Sequence, residues 1–156
     1  MGMEIEKKYT IKKLPEDLDS YDRHMIEQAY LTAEPTIRVR REDERYYMTY
    51  KGTGGNNTPL SHEEYNLPLT KEAYETLASK AEGTVIRKTR YLIPYNKHMI
   101  ELDVFAEPYA PLIIAEVEFL STDEAGEFVP PEWFDEDVTG HREYSNAYLS
   151  MRFGKN

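Results

Sequence analysis

A chain of 156 residues is long enough to bury about two-thirds of its unfolded surface in one domain, and thirteen tyrosines within a 12% aromatic content favour strands. The net charge of −10, from 29 acids against 19 Lys and Arg, repels nucleic acid and anionic membranes, so an anionic partner needs a local basic cluster or a metal. Cysteine is absent, which excludes disulfides, thiolate zinc sites and a cysteine nucleophile, and no apolar run approaches the ~20 residues that span a bilayer. The N-terminus also lacks the basic and apolar regions of a signal peptide. The expectation is one domain over residues 1–156 in a reducing cytoplasm, a monomer or homodimer with neither nucleic acid nor membrane as partner.

The opening stretch Met3-Glu4-Ile5-Glu6-Lys7-Lys8-Tyr9 reads as a strand with Glu4, Glu6 and Lys8 on one face and Ile5, Lys7 and Tyr9 on the other. Pro15 then breaks the chain into a loop or short helical turn. Residues 25–32 form a second strand, with Ile26, Gln28, Tyr30 and Thr32 alternating with Glu27, Ala29 and Leu31. Beyond Pro35, Arg38 and Arg40 alternate with Ile37 and Val39, and residues 45–51 place Tyr47, Thr49 and Lys51 opposite Tyr46, Met48 and Tyr50. Asp43-Glu44 between them suits a hairpin turn.

The glycine-rich run from Gly52 to Pro59 lacks the Gly-Lys-Ser/Thr ending of a phosphate loop and reads as a hairpin loop, and its Asn56-Asn57-Thr58 sequon reads as a polar turn. Residues 61–68 are a strand with His62, Glu64 and Asn66 on one face. Thr70 is placed to cap a helix through Ala81, whose Ala73, Leu77, Ala78 and Ala81 make an apolar stripe. Three further strands, at 85–92, 99–105 and 113–119, pair Lys88 with Arg90, Glu101 with Asp103, and Glu116 with Glu118. Ser121 caps a short helix, Trp133 and Phe134 pack a connection, the acids at 135–137 are solvated, and a closing helix covers 144–151. His24, His62, His98 and His141 have no metal-ligand spacing and read as surface or hydrogen-bonded side chains.

One charged face therefore gathers Glu4, Glu6, Glu64, Glu101, Asp103, Glu116 and Glu118 with Lys8, Arg38, Arg40, Lys51, Lys88 and Arg90. For any single pair, an ordinary wet sheet face is sufficient explanation, since a cross-strand ion pair adds only a few tenths of a kcal/mol. Taken together, paired charges on nearly every strand describe a barrel with this face inward, a tunnel that needs water, metal and a polyanion to satisfy it. Hard cations such as Mg²⁺ or Mn²⁺ take carboxylate oxygens, while Arg and Lys suit phosphate.

Glu4-Ile5-Glu6-Lys7-Lys8 resembles the Glu-x-Glu-x-Lys signature of the CYTH superfamily, the triphosphate tunnel metalloenzymes. Arg38-Val39-Arg40, Lys51, Glu64, Lys88-Thr89-Arg90, Glu101-Leu102-Asp103, Glu116-Val117-Glu118 and the terminal Val138-Thr139-Gly140 and Tyr144-Ser145-Asn146 follow in the family's order. The resemblance is nearest to compact bacterial members that hydrolyse inorganic tripolyphosphate. It implies an α+β, mainly antiparallel fold, a closed eight-stranded barrel with helices outside, and metal-dependent cleavage of a phosphoanhydride to pyrophosphate plus phosphate.

By the same resemblance, Glu4, Glu6 and Glu118 hold a Mg²⁺ or Mn²⁺ ion that bridges the phosphates, and Asp103 and Glu116 hold a second that activates water. Glu64 and Glu101 complete the metal-binding acids. Lys8, Arg38, Arg40, Lys51, Lys88 and Arg90 cradle the triphosphate, Arg142 adds a phosphate contact, and Tyr30 pairs with Lys8. Asn66 stands where many relatives carry a second acid on the same strand. Two other outcomes stay open. One is an adenylate cyclase, thiamine-triphosphatase or nucleoside-triphosphatase of the same fold; the other is a non-catalytic polyphosphate-binding module.

Overall fold

The computed structural model describes residues 2–52 and 61–152, so the glycine-rich run beyond Gly52, with its sequon, lies outside the described residues. The chain opens with β1 (Gly2–Ile11), and then β2 (Asp22–Thr32), β3 (Thr36–Glu42), β4 (Arg45–Lys51) and β5 (Ser61–Pro68) follow as successive antiparallel neighbours. Helix α1 (Lys71–Ser79) leads into β6 (Ile86–Tyr95), which returns to pair with β2 and begins a second meander through β7 (His98–Phe105) and β8 (Ile113–Glu118). The chain ends with α2 (Thr122–Glu127), β9 (Phe134–Asp137) and α3 (Asn146–Arg152).

Strand order is β5-β4-β3-β2-β6-β7-β8-β1-β9, and an additional β5–β1 pairing closes eight of these strands into a barrel. Closure satisfies the backbone groups that an open sheet edge leaves unpaired. The expected turn at Asp43-Glu44 carries a left-handed residue, Asp43 at φ 55°, and so does the turn between β6 and β7, Asn96 at φ 54°, a conformation that short polar side chains tolerate. No helix among the described residues is long and apolar enough to cross a membrane.

Among the described residues, three apolar clusters hold the barrel. Outside it, Ile100, Leu102, Ala115 and Val117 pack with Tyr9, Phe119, Phe128 and Phe134 beneath α2 and β9. Ala29 and Val39 pack against Tyr74, with Leu77 and Ala78 alongside, under α1. As expected, Thr70 caps α1, its hydroxyl accepting from the Ala73 N–H at 3.1 Å.

The third cluster lies on the inward faces of the strands. Ile86, Phe105 and Ile114 sit two residues from Lys88, Asp103 and Glu116 respectively, and pack with Tyr30 and with Leu149 of α3. The interior is therefore charged along part of its length and filled with hydrocarbon elsewhere; each such buried side chain contributes about 1.5–3 kcal/mol. Helix α3 is seated by Thr84 N–H on the Ser150 carbonyl at 2.6 Å and Tyr109 Oη on the Leu149 carbonyl at 2.6 Å. Gly83 makes this approach possible, since a Cβ there would stand 2.3 Å from the Ser150 oxygen.

Two elements differ from expectation. Strand β9 forms in a segment read as a connection followed by solvated acids: Asp135, Glu136 and Asp137 are indeed exposed, but the C-terminal end of β1 offers a free edge and Phe134 is buried beside Tyr9. The closing helix begins at Asn146, because residues 142–144 wind as a tighter 3-10 turn.

Candidate active site

Barrel register turns separate charge pairs into two facing clusters. Across β1 and β8, Glu6 stands opposite Glu118 and Lys8 opposite Glu116; across β7 and β8, Glu101 stands opposite Glu116; and across β4 and β5, Lys51 stands opposite Glu64. The arginines come from β3 and β6, where Arg38 lies opposite Tyr30, Arg40 opposite Gln28, and Arg90 opposite Asp103. Both clusters line one cavity of about 1120 Å³, whose lining also includes Lys8, Lys88 and, at its rim, Arg142.

On the acidic wall, carboxylate oxygens of Glu4, Glu6 and Glu118 all lie within 4.8 Å of one another. Burial, and then the charges of Glu116 and Glu4, push the Glu6 carboxyl well above its ordinary range. Glu118, at the solvent-exposed end of the trio, is raised to about 7 by partial burial and by its acidic neighbours Glu101, Glu4, Glu64 and Glu116. Burial likewise raises Glu64 and Glu101. Glu4 differs: burial pushes it up, but the Lys51 ammonium 2.8 Å away outweighs that and lowers it.

On the basic wall the cations are buried, and some of them have anionic partners. Arg90 makes a two-pronged contact with Asp103, Nε to Oδ1 at 2.7 Å and the second prong at 2.9 Å, and lies 3.7 Å from Glu116. Lys88 Nζ stands 2.7 Å from the other Asp103 oxygen. Burial lowers Lys88 to about 7 despite that partner. For Glu116, burial is outweighed by Lys8, Arg90, Lys88 and Lys51, which hold its carboxyl well below the usual range. Arg38 Nε is buried without a hydrogen-bond partner, a costly state that an anion entering the cavity would relieve.

The remaining expected residues fall in place less uniformly. Tyr30 is buried, with Gln28 Nε2 donating to its hydroxyl at 3.3 Å and the Arg38 guanidinium beside it, rather than bonded to Lys8. The strand carrying Lys8 is pinned instead through its backbone, whose N–H donates to Thr139 Oγ1 at 3.0 Å. Arg142 is exposed, 5.7 Å from the Tyr148 ring centroid. Asn66 accepts from Thr49 Oγ1 at 2.6 Å, a neutral pairing on the strand that carries Glu64. Both Asp103 oxygens are taken by Arg90 and Lys88, so it lies here as their counter-ion, outside the acidic trio.

Some contributors were not among the charged residues read from the sequence. Gln28 and Asn146 lie buried between the cations, and Tyr47 receives an Arg40 N–H at 3.2 Å while donating to Glu42 at 3.1 Å. The available signal was positional: Gln28 shares its strand face with Tyr30, and Tyr47 shares its face with Lys51.

A closed antiparallel barrel that sets a carboxylate trio against buried arginines and lysines defines a tunnel-type site for a metal and a polyanion. The chain belongs to the CYTH domain family, whose pattern matches residues 3–139. It is 38% identical over 156 residues to an inorganic triphosphatase of Nitrosomonas europaea, covering 95% of this chain and 97% of that protein. An inorganic triphosphatase of Acetivibrio thermocellus is 33% identical over 162 residues, covering 100% of this chain and 98% of the relative. A crystal structure of an inorganic triphosphatase superposes with a TM-score of 0.69 at 34% identity, covering 97% of this chain and 96% of that one. A protein of Pyrococcus horikoshii shares the fold at 17% identity, with a TM-score of 0.61 over 88% of this chain and 98% of its own.

Family membership implies a divalent metal. Glu4, Glu6 and Glu118 fit one, since they offer hard oxygen donors whose mutual repulsion a cation removes. Because a ligand must be deprotonated, cation binding should strengthen as pH rises through about 7, where Glu118 loses its proton. The Mg²⁺-induced rise in melting temperature is therefore expected to be larger at pH 8 than at pH 6. Equal rises at both would place the ion elsewhere.

Proposed function

We propose that this chain is a metal-dependent tripolyphosphatase, one catalytic domain that cleaves inorganic tripolyphosphate to pyrophosphate and phosphate using Mg²⁺ or Mn²⁺. The observation that carries the reading is the single cavity in which the Glu4, Glu6 and Glu118 trio faces the buried Arg38, Arg40, Lys88 and Arg90. Two relatives above 30% identity that are inorganic triphosphatases over nearly their full length support it. A cysteine-free chain suits the reducing cytoplasm, where we place it as a monomer or homodimer.

Glu4, Glu6 and Glu118 would hold the cation, with Glu64 and Glu101 close by as further acids. When bound, it neutralises phosphate oxygens and makes water a better nucleophile near neutral pH. Arg38 presents a buried, unpartnered N–H to the substrate, and Arg40, Lys8 and Lys51 add positive charge around the chain of phosphates, with Arg142 at the rim. Tyr30 steadies Arg38 from the neighbouring strand. These fixed donors stabilise charge on the transferred phosphoryl group and the departing pyrophosphate, as water attacks the terminal phosphorus in line.

Asp103 occupies Arg90 and Lys88 until the triphosphate arrives. Phosphate oxygens that take over those donors free its carboxylate, which with Glu116 forms the candidate pair for a second cation. The test is phosphate release from tripolyphosphate, ATP, thiamine triphosphate and pyrophosphate, each with Mg²⁺, Mn²⁺ or chelator. Tripolyphosphate is expected to be cleaved fastest, with chelator abolishing turnover. Faster cleavage of ATP or thiamine triphosphate would assign a nucleotide or thiamine enzyme of the same fold, and binding without turnover a non-catalytic module.

A further inference from the structure

Two of the buried cations are joined by a chain of neutral amides. Arg40 Nε donates to Gln28 Oε1 at 2.7 Å, Gln28 Nε2 donates to Asn146 Oδ1 at 3.0 Å, and the same Asn146 oxygen accepts from Lys88 Nζ at 3.0 Å. All four residues are buried, with Gln28 at 0% and Asn146 at 8% exposure. The orientations of the amides follow from their neighbours. The Arg40 guanidinium can only donate, and so can the Lys88 ammonium paired with Asp103 at 2.7 Å, so each amide must turn its oxygen to the cation, leaving the Gln28 NH₂ to close the chain onto Asn146.

A neutral acceptor has an advantage here that a carboxylate lacks. Asp103 holds Lys88 and Arg90 but cancels charge intended for phosphate, whereas an amide oxygen fixes an N–H and leaves the positive charge intact. Of the three Lys88 N–H groups, Asn146 takes one and Asp103 another, and the Asn146 bond is the one that remains to aim the ammonium when phosphate takes over the donor Asp103 holds. Arg40, with Nε on Gln28 and one terminal nitrogen on Tyr47, keeps its other terminal nitrogen for a ligand. Burial, together with repulsion from Arg38 and Arg90, lowers the Arg40 pKa, so its position depends on such neutral acceptors.

We propose that Gln28 and Asn146 are positioning residues that lock Arg40 and Lys88 into one triphosphate-binding unit. Asn146 is the first residue of α3, whose Leu149 packs into the apolar cluster inside the barrel, so the seating of the C-terminal helix becomes part of substrate binding. The ligand named here rests on the tripolyphosphatase reading, while the relay is a feature of this chain's own hydrogen bonds.

The experiment measures KM and kcat for tripolyphosphate, together with melting temperature, for the full-length wild type, Gln28→Met, Asn146→Ala and the double variant. Each single variant is expected to raise KM about tenfold with kcat within about threefold, the signature of lost substrate binding. Because the two amides act in series, the double variant should be no worse than the worse single one. Gln28→Met preserves side-chain volume and carries the test if Asn146→Ala does not fold. Unchanged KM with a lowered melting temperature, or effects that multiply in the double variant, would overturn the relay. A wild type that neither binds nor cleaves tripolyphosphate would overturn the functional reading, and the relay's role with it.

Discussion

Replacing Glu6 or Glu118 by glutamine is expected to lower kcat/KM for tripolyphosphate by about 1000-fold or more, equivalent to ~4 kcal/mol of transition-state stabilisation. Each carboxylate belongs to the trio whose oxygens lie within 4.8 Å, and an amide supplies one neutral oxygen where the cation needs charge. Stability without metal should stay the same or rise, because burial and neighbouring acids already disfavour the charged form of both side chains. The check pairs turnover with thermal melts, with and without Mg²⁺. The variants should lose both activity and most of the metal-induced stabilisation. Near wild-type turnover in either would remove that residue from the metal site.

The second large effect concerns folding. Asp103→Ala leaves Lys88 and Arg90 buried beside an empty place where their counter-ion stood, and breaking such a buried arrangement from one side costs about 3–5 kcal/mol. For a domain of this size the melting temperature should fall by about 10 °C. Tripolyphosphate should restore more of that loss than it adds to the wild type, since its oxygens supply the missing negative charge without first displacing Asp103. A melting temperature within about 2 °C of wild type would show that these ion pairs contribute little to the fold.

Much of this barrel was legible because strand alternation is a local property. Glu4, Glu6 and Lys8 share a face by their spacing alone, as do Arg38 with Arg40 and Glu116 with Glu118, and the apolar residues between them mark the outward side. The Thr70 cap and the Asp43 turn are equally local, each decided by a few neighbouring residues. Strand β9 was not legible, since three acids in four residues have poor strand propensity and the segment pairs only because β1 presents a free edge.

The amide relay escaped for a related reason. Gln28 and Asn146 are 118 positions apart, and nothing in either local pattern says that they meet. Asp103 shows the same limit from the opposite direction, because it sits beside Glu101 in the pattern of acids yet lies against Arg90 and Lys88.

The sequence by itself determined which side chains face inward, which charges a tunnel must accommodate and which family the ordered motifs resemble. Only the tertiary structure decided which charges meet. Closure of β5 onto β1 and the register of β1 with β8 bring Glu4, Glu6 and Glu118 together, while α3 delivers Asn146 to Lys88. Period-two alternation is set by bonds between adjacent residues, whereas register and closure are set by contacts between distant ones.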